Sequence, residues 1–530
     1  MFFESDMNVS HFHTSTCNIF QKAVGQSGVL EFDGQFRSGG TVRFERIELA
    51  MLPIRLRGQG IARFGPVWGW EGRLDSGPIT IKALPKHIQL FGNVIQSGTM
   101  EVQLGGKGFG KDWTKWKTQG WVALTDGVVR IPGISESVGN VFIRLRIDKD
   151  LLDLKRMEFH IKDSEAVVTG FVKQWKTAPA VSILWNATQF DIDLLIPKED
   201  RSVLRDGVEW LASHGKLEGS LFIEYPRYKA FSGHKLSAVL NVHDNLVSIE
   251  KIQTMVEKHG NAKGRVFVHL PPGKPAAIRA SFEGNNLPFE KTLMVLGDDR
   301  RFVSGQLDIR GKIQGHGRDE RGIIPTLEGE VDLSLRNGYV RKGTVLPQIL
   351  RILNLPHVLR GKVNFEETGF PYEAIAATLK IDEGNFSTKD FILRSPVMKA
   401  TVAGTYDFHQ DRLNGAVAVS PFGAYSDVLQ SIPLFGTIFS GERKGIATAM
   451  FRLNGPLKDP QVVYMPKESL KNGLTGLAQL AFDVLKNTIL APVRVLNGSS
   501  EDAASSPATL EGRAPEETPK PVGNEKALSQ

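Results

Sequence analysis

EVDLSLRNGYV, residues 330 to 340, alternates strictly: Val331, Leu333 and Leu335 fall on one face, and Asp332, Ser334 and Arg336 on the other. That period of two is the signature of a β-strand with one buried side. Asn337-Gly338 then predicts a hairpin turn, since both residue types accept positive φ. ALTDGVVRI (123 to 131) and KIDEGNFS (380 to 387) repeat the pattern, so the chain reads as one hairpin after another.

Working outward, four longer stretches share one outline: 41 to 62, 151 to 172, 247 to 268 and 386 to 408. Each has an alternating strand, a short break, and a second strand with glycine or a small residue near its middle. Repeats of this spacing predict an elongated array whose units touch mainly their neighbours, although a plain antiparallel meander produces similar lookalikes. The fold class expected is mostly β: an array of antiparallel hairpins forming a curved, apolar-lined trough with a few short amphipathic helices. Helical spacing occurs in four places, 198–213, 344–355, 428–441 and 474–490; Pro433 and Gly436 break the third into two short turns.

Six segments are expected: an N-terminal piece (1–24), a β-repeat region (25–190), a second with one helix (191–325), a C-terminal module (326–466), an amphipathic helix (467–497) and a disordered tail (498–530). A chain of 530 residues with 41% hydrophobic and 23% charged composition buries a large core. Its net charge is +7, and the acidic tail after Asn497 makes the body more basic still. The bases are scattered along strands, which argues against nucleic acid and leaves anionic headgroups or solubility. Cys17 stands alone, so no intramolecular disulfide or cysteine-rich metal site is expected. No window reaches the roughly 20 apolar residues that cross a bilayer. Glu4 and Asp6 sit where a signal peptide needs bases and then apolar residues.

Catalytic motifs are few. GGKGFGKD (105 to 112) fits the frame of a phosphate loop, but Asp112 replaces the hydroxyl that ligates magnesium and no amphipathic helix follows; a glycine-rich loop between strands is the expectation. His11 and His13 lack a third ligand. No nucleophile elbow or zincin motif occurs. The reading is therefore non-enzymatic, with no cofactor and no metal. Trp68, Trp70, Trp113, Trp116, Trp121, Trp175 and Trp185 crowd into the first 190 residues, either covering sheet faces or marking a membrane interface.

From Leu327 to Pro466 the chain resembles the C-terminal module of the AsmA-like proteins, the bacterial group that includes the YhdP and TamB branches. The words that carry the likeness are GFPYEAI, SPVMKATVAGTYD, SIPLFG and GPLKDPQV. The resemblance implies a long curved sheet with an apolar inner surface, phospholipid transport or outer-membrane biogenesis, and a periplasmic place at the inner membrane. That group's N-terminal anchor helix has no counterpart before Met1, so a misplaced start, a fragment or an anchoring partner is expected.

On this reading acyl chains lie on a face formed by Val331, Leu333, Leu335, Val363, Phe365, Leu379, Ile381, Val402 and Tyr406. Ile432, Phe435, Phe439, Leu474, Leu477 and Leu485 either touch a bilayer or pack as core. The partners expected are phospholipid acyl chains and a membrane surface. The alternative reading is a scaffold that offers strand edges to outer-membrane assembly proteins.

Overall fold

A computed structural model of the protein describes residues 2–8, 20–21, 29–51, 54–83, 89–90, 94–131, 134–196, 202–295, 303–318, 320–341, 345–353, 369–421, 436–440, 443–466 and 476–490. The chain divides into Met1–Ile489 and Leu490–Gln530, and nearly all described residues belong to the first unit. The tail beyond 497, and with it the expected disorder, lies outside them, as do His11, His13 and Cys17.

The protein is mostly β: of the described residues, 68% are strand and 13% helix. Twenty-four strands form one continuous ladder that does not close on itself, and two short strands, Ile79–Thr80 and Gly436–Ser440, pair beside it. Neighbouring strands are antiparallel with one exception among the described residues: Ala180–Asp191 runs parallel to Lys216–Tyr228. Parallel neighbours need a crossover, and the helix α1 (Ser202–His214) lies in that connection.

Along one margin of the sheet the strands are joined by turns at 38–40, 64–68, 149–150, 244–245 and 383–384; this is the turn margin. The connections holding α1, α2 (Phe289–Val295) and α4 (Val345–Ile352) leave from the opposite margin. A single helical turn, α3 (Glu320–Ile323), and the C-terminal helix α5 (Leu477–Leu490) complete the set. The spacing signal found α1, α4 and α5 and missed α2 and α3, which are too short to show a period. Gly436–Ser440, expected as part of a broken helix, is a strand paired to Arg443–Gly455; residues 428–435 lie outside the described set.

Two of the three expected hairpin turns are corrected. Glu383 and Gly384 do form a turn with positive φ. Asn337 (φ 52°) and Asp126 (φ 52°) instead sit inside the strands Glu328–Val340 and Lys117–Val129, which continue past them. The same residue types serve a bulge as well as a turn, because both need positive φ. Asn140, Lys235 and Asn286 take positive φ inside strands in the same way, toward the margin opposite the turns, and Lys251 does so at the middle of its strand. A bulge bends its strand and increases the local twist, so a belt of them creases the sheet along its length.

The repeat has the same physical content. In each of the four copies the first strand carries a register shift: Phe44/Ile47, Leu154/Met157, Ile249/Ile252 and Thr388/Phe391. In each, the glycine of the second strand faces a residue that bounds the shift: Gly60 opposite Phe44, Gly170 opposite Leu154, Gly264 opposite Ile252 and Gly404 opposite Thr388. The bend brings backbone close, and a residue without Cβ accommodates the approach.

Buried side chains lie mainly toward the margin opposite the turns. Across the C-terminal strands, Leu307, Leu335, Ile375, Leu393, Ala400, Val419 and Ala449 are successive register partners and all are buried. Ile349, Leu350 and Leu353 of α4 and the turn after it pack into this cluster, and Gln348 Nε2 donates to the Pro460 carbonyl at 3.2 Å. A second core, including Met100, Val141, Phe159 and Phe190, underlies the N-terminal strands.

Candidate lipid-binding face

Nearer the turn margin one row of side chains crosses eighteen strands. It begins Val102, Val122, Leu145, Leu154, Gly170, Ile183. It continues Gly219, Leu240, Ile249, Val266, Ala280, Ile313. It ends Gly329, Ile381, Phe386, Tyr406, Leu413, Gly455. Every member is apolar or glycine except for the hydroxyl of Tyr406, which donates to Asp411. Strands spaced about 4.8 Å apart give the row a length of roughly 80 Å. The next row on the opposite face is mixed: Arg146, Asp153, Phe171, Ser182, Glu218 and Asn241 follow one another.

Among the described residues no second layer of strands interlocks with the apolar row. Ile249 is exposed, Ile381 is buried, and the other members are half-buried. The row has no compensating polar groups, and it stays accessible because strand alternation places an apolar side chain there in strand after strand while no described helix covers its length. At its N-terminal end the same face holds an apolar hollow of about 390 Å³ lined by Leu30, Phe32, Phe36, Val42, Phe44, Ile47 and Phe64. Two larger hollows, of about 760 and 740 Å³, share Arg73 and Gln119 and lie on the polar face.

Seven of the nine expected lipid-contact residues are described, and they share the apolar face. Val331 pairs with Leu379, and Leu333 and Leu335 flank them on the same strand. Val331, Leu335 and Ile381 are buried; Leu333, Leu379, Val402 and Tyr406 are half-buried. Val363 and Phe365 lie outside the described residues, as do Ile432, Phe435 and Leu474. Phe439 belongs to a strand. Leu485 is fully buried and Leu477 partly so, packed with Ala403, Ala416, Ala418 and Met450. The sheet's polar face therefore becomes apolar under α5, and Thr401 Oγ1 donates to the Ala481 carbonyl there at 2.6 Å. That side of α5 is occupied by the sheet rather than offered to a bilayer.

Two buried titratable groups sit in the C-terminal strands. Burial first, and the nearby Arg394 second, push Lys399 down to about 8. Burial, with a smaller contribution from Glu290, raises the Tyr372 phenol, whose hydroxyl donates to the Ser304 carbonyl. Gly338 lies against that carbonyl with no room for a Cβ, which accounts for the second half of the Asn337-Gly338 pair.

The glycine run after Leu104 is not a loop: Gly105 to Phe109 complete the strand Ile95–Phe109. Asp112 caps the single turn Trp113–Lys115, accepting from Thr114 N and Oγ1. Thr114, and then Lys115 at 3.2 Å, hold its carboxyl below the usual range. Among the described residues no group of three or more His, Cys, Asp or Glu is placed to hold a metal.

Sequence reading centred the site on the C-terminal module and missed the upstream part of the row. The signal was present: Leu152, Leu154, Val172, Ile183, Leu217 and Leu240 all lie at alternating positions. What alternation cannot supply is register, and only register aligns these residues into one row. No model of a known protein family matches the chain, and no curated protein is significantly similar to it.

Proposed function

We propose that the chain binds phospholipid by its acyl chains along the apolar row and passes it between the inner and outer membranes of a two-membrane envelope, without a chemical step. The observation that carries this reading is the row itself: roughly 80 Å of accessible, uncharged side chains. At about 0.8 kcal/mol per buried methylene, part of one acyl chain contributes several kcal/mol, and contacts of this kind do not distinguish one tail from another. The envelope location, periplasmic and at the inner membrane, rests on the AsmA-like words between Leu327 and Pro466. No described helix is long and apolar enough to cross a membrane.

The test uses Leu154→Glu, Ile183→Glu and Val266→Glu together. These side chains are half-buried, so the sheet is expected to survive while the row gains three charges. Native mass spectrometry of gently purified protein is expected to find phospholipid on the wild type and little on the variant. Equal amounts on both would remove the row from lipid binding.

A second reading, a scaffold for outer-membrane proteins, draws on the open ends of the ladder. Among the described residues Phe2–Asn8 pairs only with Val29–Arg37, and Gln461–Met465 only with Arg443–Gly455. An unpaired strand edge can accept a strand from another protein. Polypeptide rather than phospholipid in the same spectra would favour it.

A further inference from the structure

Large apolar side chains are exposed in many places, but they gather at the first three turns of the turn margin. Phe36 (55% exposed) precedes the turn 38–40, Phe64 (61%) and Val67 (65%) lie in the turn 64–68, and in the third, residues 110–116 between Ile95–Phe109 and Lys117–Val129, Phe109 (56%) precedes the turn and Trp113 (49%) lies in it. These turns adjoin. Phe64 N donates to the Gly40 carbonyl and Gly110 N to the Trp68 carbonyl. The Phe109 ring lies against Gly69, and Trp116 packs edge-on against both Trp68 and Trp70.

The charges left without an ion-pair partner among them are of one sign. Arg37, Arg63 and Lys111 are exposed, and none has an acid within ion-pair distance among the described residues. The one acid in the three turns, Asp112, is engaged by Thr114 and Lys115. Two later turns of the same margin, Asp244-Asn245 and Glu383-Gly384, carry acids and no aromatics, and the exposed Phe408 stands in a turn between Asp407 and Asp411.

We propose that this corner of the sheet docks on an anionic phospholipid bilayer. Tryptophan and phenylalanine settle at the headgroup level, and unpaired cations beside them are drawn to anionic lipid. The patch is also continuous with the apolar face, because Phe36 and Phe64 line the hollow at the N-terminal end of that face. Resting on the lipid-carrier reading, the docking corner is the place where acyl chains pass between bilayer and sheet.

The experiment is flotation of the full chain with vesicles containing phosphatidylglycerol, and with vesicles of phosphatidylcholine alone, at low and high salt. Wild type is expected to float with the anionic vesicles and to release at high salt. Val67→Ser with Trp113→Ser should lower binding about tenfold on the anionic vesicles. Arg63→Gln with Lys111→Gln should lower it by roughly twentyfold at low salt, where each cation near the surface counts for most, and should leave phosphatidylcholine unaffected. All of these side chains are exposed, and unchanged circular dichroism confirms the fold of each variant. Absence of wild-type flotation, or flotation of both double variants at the wild-type level, overturns the docking corner. Native mass spectrometry on the same preparations separates this outcome from the broader reading. Phospholipid retained by variants that no longer float leaves the carrier intact and supports the corner. Vesicle binding by a wild type that never carries phospholipid refutes the carrier alone.

Discussion

Glycines opposite bulges show how single residues shape this sheet. A Cβ on Gly170 would run into the Ser182 carbonyl of the neighbouring strand, whereas one on Gly139 meets nothing within 4 Å. Gly170→Val is therefore expected to lower stability by about 1–3 kcal/mol in urea unfolding, and Gly139→Ala to change it by less than about 0.5 kcal/mol. Lys399 makes a pH prediction. Its folded pKa, about 8, lies below its ordinary value of 10.5, so above pH 8 the unfolded chain holds more protons than the native one. Stability contributed through this group therefore rises from about pH 8 to 10.5, by at most about 3 kcal/mol. Lys399→Met should be more stable than wild type at pH 7, with the difference shrinking across that window. Thermal unfolding of the pair against pH checks it. At this scale the sequence was legible wherever one residue type serves one purpose. Asn337-Gly338 was not, because a dipeptide that accepts positive φ fits a turn and a bulge equally, and only the neighbouring strand decides.

Among the elements, α5 is the clearest case of an amphipathic segment whose apolar stripe is taken by the sheet. Leu485 is fully buried against small residues, Ala403, Ala416 and Ala418, which let the helix approach closely. Leu485→Ala is expected to cost about 2–5 kcal/mol, and Thr401→Val, which loses the bond to the Ala481 carbonyl, about 1 kcal/mol; chemical denaturation measures both. Periodicity located α5, α4 and α1 but could not name what each would meet. Val331 and Ile381 illustrate the same limit in strands. Their face was readable from alternation, but their depth was not, because depth depends on which side chains the neighbouring strands bring alongside, and that is set by register.

The molecule as a whole joins a crease, a deep core and an open row. Bulges fold the ladder, the core and α4 fill one side of the fold, and the row nearer the turns stays partly accessible except at Ile381. Class and repeat were legible because each strand carries its own alternation; the eighteen-strand alignment was not, because it is a property of register. The most direct measurement places a photoreactive benzophenone residue at Ile183, Val266 or Ile313 on the row, and at the polar-face neighbours Ser182, Phe267 or Gln314, in protein exposed to phospholipid. Adducts with phospholipid at the first three positions and none at the second three are predicted. Adducts of equal yield on both faces, or on the polar face alone, would contradict the account.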